Sequence, residues 1–381
     1  MKNPVSNTKS ALDRRSFMRS GLLAGGAAAV GAGMLANSTS ARADERESGG
    51  RLNRGDIAIL RFLAAAELIE SDLWTQYAEL GGIGNDQPIE VNPNPNPPLN
   101  PYQNALSALD GDGPQYITSN TLDEVSHAAF LNAYLESKGA EPVDFTEFET
   151  LKGSTALGLG GKKRLTNLMH LNVDTSWYVR YRSTKNPDFG ATFPQAITLE
   201  NVSAIPVSDA DLNNPNPNHM QAVANVAGFH FGYIEQGGSS LYAAMSQKVT
   251  DPEVLKITLG IGGDEIAHFL EWVDFAGNGV QQPVAPLTDS VSGLTFPDFF
   301  NNPPLQPANL VQPSLIFPVP CEFISPNLPH VAIIRPLSDR FGGAVATIAS
   351  FTADGLFVGQ SKQFLNVLQQ LAQEADDAVR Q

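Results

Sequence analysis

Cysteine is almost missing from this chain: Cys321 stands alone among 381 residues. An internal disulfide is therefore excluded, as are a Cys-x-x-Cys rubredoxin-like module and a haem-attachment motif. No nucleotide or flavin fingerprint is present either. Past the N-terminal leader, no segment has the ~18–20 continuous apolar residues of a transmembrane helix, so a soluble mature protein is expected. Basic residues are few, with 24 Lys and Arg against 40 Asp and Glu. So acidic a chain repels phosphate backbones and anionic headgroups, which argues against nucleic acid or an anionic membrane as partner.

The ends differ from the middle. Asp13-Arg14-Arg15-Ser16-Phe17-Met18 resembles a twin-arginine export motif. Gly21–Ala36 is a Gly/Ala-rich, weakly apolar run, and Ala41-Arg42-Ala43 offers a small-x-small cleavage site. At about 16 residues the apolar run is short for a stable span. Residues 1–43 thus read as a cleaved signal rather than an uncleaved anchor or a disordered leader. The resemblance implies export of an already folded protein to the periplasm or beyond, which suits a chain that takes up metal in the cytoplasm. The leader holds six basic residues and one acidic residue, so its removal takes the net charge from −16 to −21.

In the body of the chain, Asp123-Glu124-Val125-Ser126-His127 returns as Asp264-Glu265-Ile266-Ala267-His268. Helix positions three apart share a face, so each copy aims a carboxylate and an imidazole at one point. Di-iron and di-manganese carboxylate bundles use Glu-x-x-His on two helices and a lone Glu on each of two others. The flanking periodicity predicts four helices, at about 53–80, 114–138, 218–248 and 251–276. In the first, Leu60, Leu63, Glu67, Glu70, Trp74 and Tyr77 step by threes and fours, placing two glutamates on a seam that is normally apolar. Ile117, Thr121, Glu124, Ala128, Leu131 and Leu135 make the second seam; Ala224, Gly228, Phe231, Glu235, Gly238 and Tyr242 make the third. Thr250 or Asp251 caps the fourth helix, with Pro252 at its first position. The short link before it makes helices three and four antiparallel neighbours.

The remaining segments say less. Residues 84–101 contain Asn-Pro-Asn-Pro-Asn-Pro-Pro and read as loop, with helix resuming after Pro114. The insertion 140–217 is expected to hold one helix, Lys162–Arg182, with His170 and Asp174 as a surface or packing pair. Asn186-Pro187-Asp188-Phe189-Gly190 reads as irregular, and strands are expected around 196–207. From 280 to 337 the chain is Pro-rich and aperiodic, a surface wrap. Val345, Ile348, Phe357, Phe364, Leu365, Leu368 and Leu371 then suggest one or two helices, which either pack on the bundle or form a homo-oligomer interface. The domains are thus a signal at 1–43, a bundle at 44–280 and an extension at 281–381.

The helical halves repeat each other further. Ile69-Glu70, six residues, then Tyr77-Ala78 matches Ile234-Glu235, six residues, then Tyr242-Ala243. Each lone-Glu helix precedes a Glu-x-x-His helix, a duplicated hairpin. In this pattern the chain resembles the ferritin-like superfamily, especially its exported, desiccation-related branch, over residues 55–139 and 218–276. The resemblance implies an all-α fold, a ferritin-like four-helix bundle carrying the insertion and the extension. It implies metal ligands at Glu124, His127, Glu235, Glu265 and His268, with Glu67 or Glu70 completing the set. The family motif holds both glutamates, whereas the internal repeat favours Glu70. Such a donor set suits two Fe or Mn ions, and Zn is compatible. The expected chemistry is ferroxidase, peroxidase or catalase type, acting on Fe(II), O2 or peroxide in oxidative or desiccation stress.

Tyr77 and Tyr242, two turns from the glutamates, are candidates to hydrogen-bond the site or donate electrons, or are packing residues. Asp123 and Asp264 either support the histidines or are solvated acids. Trp74 reads as core, and His219 and His230 as structural. Gly237, Gly238, Gly262 and Gly263 either open space for a substrate or allow close helix packing. The competing function is a structural or stress-protective helical protein without catalytic metal. An iron-storage cage is disfavoured by the insertion and the tail.

Overall fold

The computed structural model describes residues 51–83, 98–186, 190–301, 318, 320–321, 324–332 and 342–381. The expected export signal, the Asn-Pro run, Pro187-Asp188-Phe189 and much of the Pro-rich wrap lie outside the described residues. In chain order the helices are α1 Arg54–Gly81, α2 Pro101–Leu109, α3 Gly113–Ser137, α4 Ser176–Arg180, α5 Asp209–Leu212, α6 His219–Ser246, α7 Pro252–Asn278, α8 Ala344–Asp354 and α9 Lys362–Asp376. The strands are β1 Leu151–Lys152, β2 Lys163–Arg164, β3 Leu171–Val173, β4 Leu199–Val202, β5 Leu287–Thr288 and β6 Thr295–Phe296. They pair antiparallel as β1–β2, β3–β4 and β5–β6. The protein is therefore mostly helical, and no described helix is long and apolar enough to cross a membrane.

The four expected long helices are α1, α3, α6 and α7. Asn53 caps α1 by accepting the Asp56 N–H at 2.8 Å. The buried Asp56 carboxylate in turn accepts the Thr250 and Asp251 N–H groups, each at 2.9 Å, and so ties the start of α1 to the α6–α7 link. Asp251 caps α7, with Pro252 as its first residue. α1 packs along α3 and α6 along α7. Trp74 of α1 joins the pairs, stacking on Phe231 of α6 and Trp272 of α7 at centroid distances of 5.0 and 5.5 Å. Burying each such ring contributes roughly 1.5–3 kcal/mol. Of the two readings of the tail, packing within the chain is observed: α9 lays Phe364, Leu368, Leu371, Ala372 and Ala375 inward and docks on α1.

Two expectations fail. Helix resumes at Pro101 rather than after Pro114, because Asn100 and Gln103 form a capping box around a proline-started turn. The expected helix Lys162–Arg182 is instead β2, β3 and the five-residue α4. Thr166, Asn167, Asn172, Asp174 and Thr175 compete with helical hydrogen bonding, and Leu171 and Val173 alternate with exposed Asn172 as a strand does. His170 consequently bonds Asn201 (3.0 Å), and Asp174 accepts from Ser176 and Gln195, so the two are no pair. The strand expected at 196–207 is present as β4.

Candidate metal centre

Each long helix sends acidic or imidazole side chains to one buried point: Glu67 and Glu70 from α1, Glu124 and His127 from α3, Glu235 from α6, Glu265 and His268 from α7. Glu67, Glu124, His127 and Glu265 offer donor atoms that all lie within 4.8 Å of one another, and so do Glu124, Glu235 and His268. Glu124 belongs to both groups. Its Oε2 is 3.3 Å from His127 Nδ1, and its Oε1 is 3.0 Å from His268 Nδ1. On α1 it is Glu67 that joins a donor group. Glu70, which the internal repeat favours, is buried beside them and feels the charges of Glu124, Glu67 and Glu235.

The donor set is rich in acceptors and short of hydrogens. Glu67 Oε2, Glu124 Oε1, both oxygens of Glu235 and both of Glu265 are buried without a hydrogen-bond partner among the described residues. His268 Nδ1 is close to Glu124 and Glu235 (3.3 Å to Oε2) but off the line a hydrogen bond needs. Unpartnered buried carboxylates are costly. In the metal-free protein protons must meet that cost. Burial first, then the Glu124 charge, pushes Glu67 up to about 8, against the pull of His127. Burial and neighbouring carboxylates drive Glu70 and Glu265 well above the ordinary range. Burial disfavours the charged ring of His127, yet Asp264, Glu124 and Glu67 push it up to about 12. His268 is raised likewise, burial being outweighed by Glu235, Asp123 and Glu124. A cluster that gathers protons so avidly fits divalent cations, whose charge does the same work.

Both histidines turn Nδ1 toward the carboxylates and Nε2 outward. His127 Nε2 is 3.2 Å from Asp264 Oδ2, and His268 Nε2 is 3.3 Å from Asp123 Oδ2. The aspartate before each Glu-x-x-His thus supports the histidine of the other copy. Both aspartates are also partly exposed, and with His268 they form a third group whose donor atoms lie within 4.8 Å of one another. The only sequence signal was that both copies begin with Asp.

The two tyrosines have different partners. Tyr242 donates a short hydrogen bond to Glu67 Oε1. Tyr77 does not touch the carboxylates; its hydroxyl lies 2.7 Å from His230 Nδ1. The glycines divide too. A Cβ at Gly238 would collide with the Glu265 carboxylate, and one at Gly262 would press on Tyr242, whereas Gly237 and Gly263 face open space. Gly263 and Gly260 line a cleft of about 700 Å³ between α3 and α7, with Phe130, Ile257 and Tyr134, that reaches His127 and Asp264. Glu271, unremarked in the sequence, lies close enough to feel His268 and Glu235, and burial pushes it up to about 7.

The chain matches no protein-family model, no curated protein and no solved structure.

Proposed function

We propose that the chain is an exported, ferritin-like protein that holds two Fe or Mn ions among α1, α3, α6 and α7 and reacts with O2, peroxide or Fe(II). One observation carries the reading: carboxylate oxygens from four separate helices gather in a buried space, most of them without a hydrogen-bond partner among the described residues. Glu67, Glu124, His127 and Glu265 would hold one ion, and Glu124, Glu235 and His268 the other. Glu70 supplies a further carboxylate beside both. Bound ions of this class would supply one-electron redox chemistry and Lewis acidity toward small oxygen species.

The chain's own residues do the rest. Asp123 and Asp264 keep Nε2 protonated, which presents each Nδ1 lone pair inward. Tyr242 holds a proton against Glu67 Oε1. The α3–α7 cleft gives a small substrate a route to the His127 edge, while Trp74, Phe231 and Trp272 close the opposite side against water.

Metal analysis of the full chain tests this. The expected result is about two ions per chain, with a visible spectrum that changes on adding peroxide, both lost in Glu124→Ala/Glu265→Ala. A folded wild-type chain that takes up neither Fe nor Mn, and that the double substitution leaves unchanged, overturns the reading.

A further inference from the structure

Tyr77, His230 and Asp354 are at most 1% exposed and form one chain away from the carboxylate cluster. Tyr77 Oη is 2.7 Å from His230 Nδ1, and His230 Nε2 is 3.0 Å from Asp354 Oδ2. A phenol has a proton to give and a carboxylate only accepts, so Nε2 carries the ring hydrogen and Nδ1 receives the phenol's. This polar chain spans three elements, α1, α6 and the end of α8.

An aromatic file leads from it toward the cluster. The Trp74 ring is 5.8 Å from Tyr77 and 5.5 Å from Trp272. Trp74 follows Glu70, and Trp272 follows His268, by one helical turn. Neither indole N–H has an acceptor among the described residues. An oxidised indole that cannot shed its proton passes the electron vacancy on. A phenol bonded to a free imidazole lone pair releases its proton as the electron leaves, and this holds the vacancy there.

We propose that Tyr77 is a redox-active tyrosine whose proton acceptor is His230, kept in register by Asp354, and that Trp74 and Trp272 connect it to the carboxylate cluster. One electron leaves the Tyr77 ring for a one-electron oxidant, the kind produced when O2 or peroxide is incompletely reduced. The phenolic proton crosses from Oη to Nδ1, leaving a neutral phenoxyl radical and an imidazolium facing the Asp354 carboxylate. A one-electron reductant such as ascorbate or a thiol returns the electron, and the proton goes back to Oη. The function is to store an oxidising equivalent away from the cluster. Only the source of the oxidant rests on the metal reading.

Two arms test this on the full chain. In one, the metal-free protein is oxidised by a photo-excited ruthenium tris-bipyridine complex with a sacrificial acceptor; in the other, metal-loaded protein meets hydrogen peroxide. Electron paramagnetic resonance of frozen samples reads the radical. A tyrosyl signal is expected in both arms, lost in Tyr77→Phe and kept in Tyr242→Phe. It should decay roughly 100-fold faster in His230→Gln, which removes the base, an effect that a merely structural Tyr-His-Asp tie would not produce. A photochemical signal unchanged in Tyr77→Phe overturns the proposal. If Tyr77→Phe does not fold, a decay unaffected by His230→Gln overturns it instead. A Tyr77 radical in the photochemical arm alone supports the redox tyrosine and overturns its connection to the cluster through Trp74 and Trp272.

Discussion

Glu70, Tyr77, Asp123, Glu124 and His127 of the first helical pair have counterparts in Glu235, Tyr242, Asp264, Glu265 and His268 of the second. The matched Asp and His of α3 and α7 are used the same way in both halves, whereas Glu124 joins both donor groups and Glu265 one. The two histidines present the same nitrogen to the carboxylates and cross to each other's aspartate. A single turn further along, the halves diverge. In the register that aligns Glu70 with Glu235, Glu67 faces Gly232 and Ala65 faces His230. Tyr242 therefore finds a carboxylate, and Tyr77, with only a glycine in the matching place, finds an imidazole. Trp177 from the insertion fills the space at Gly232, where a Cβ would collide with its ring. The shared positions build the buried cluster of carboxylates and imidazoles. The unshared ones give it two different sides, an acid and tyrosine on one and a hydrogen-bonded imidazole on the other.

The largest test strikes the shared positions. Glu124→Gln/Glu265→Gln should abolish metal uptake, read by metal analysis, and destabilise the metal-free protein by about 3–5 kcal/mol, read by denaturant unfolding, because His127 and His268 lose the carboxylate that faces both. A double variant that binds metal normally breaks the symmetry argument at its root. Next come Asp123→Asn and Asp264→Asn, each expected to weaken metal binding by about 10–100-fold in competition titrations with a chelator. The two losses should be alike. A large loss at one position and none at the other would show that the halves are copies in sequence only.

How much of this was legible beforehand follows the same division. The four long helices, a cap at Thr250 or Asp251 and the repeated Glu-x-x-His could be read because periodicity and a repeated motif are local signals. The reciprocal aspartates could not, since each supports a histidine more than a hundred residues away and their pairing exists only once α3 and α7 lie side by side. His230 looked like a plain structural histidine because its partners come from α1 and the C-terminal tail. The misread Lys162–Arg182 segment has the apolar content of a helix, and only its Asn, Asp and Thr residues argue otherwise.

A smaller effect concerns pH. In the metal-free fold Glu67 is raised from 4.5 to about 8, and His127 from 6.5 to about 12. The folded state therefore binds more protons than the unfolded chain across this range. Its extra stability is full below the unfolded values and is lost as pH rises through the folded ones. Thermal melts of metal-free protein should thus fall by roughly 5–10 °C between pH 5 and pH 8. Carboxylates held below their usual range, such as Asp264 and Asp289, act at more acidic pH and do not blur the trend. Saturating metal should flatten the slope, because the ligands are then deprotonated already, and uptake should release protons. A metal-free melt that rises from pH 5 to pH 8 contradicts the assignment of protons to this cluster.

The smallest effect separates the two tyrosines. Tyr77→Phe leaves His230 Nδ1 buried without a donor, a cost of about 1–3 kcal/mol. Tyr77 shares no hydrogen bond with the carboxylates, so that cost should be the same with and without metal, to within about 0.5 kcal/mol. Tyr242→Phe removes the donor to Glu67 Oε1, an atom of the site itself. Its cost should therefore change on adding metal, with a coupling of about 0.5–3 kcal/mol. Denaturant unfolding of the wild type and both variants, each with and without metal, measures the difference directly. Equal coupling for both tyrosines would mean that Tyr77 answers to the cluster as closely as Tyr242 does, and the two sides of the site would no longer be distinct.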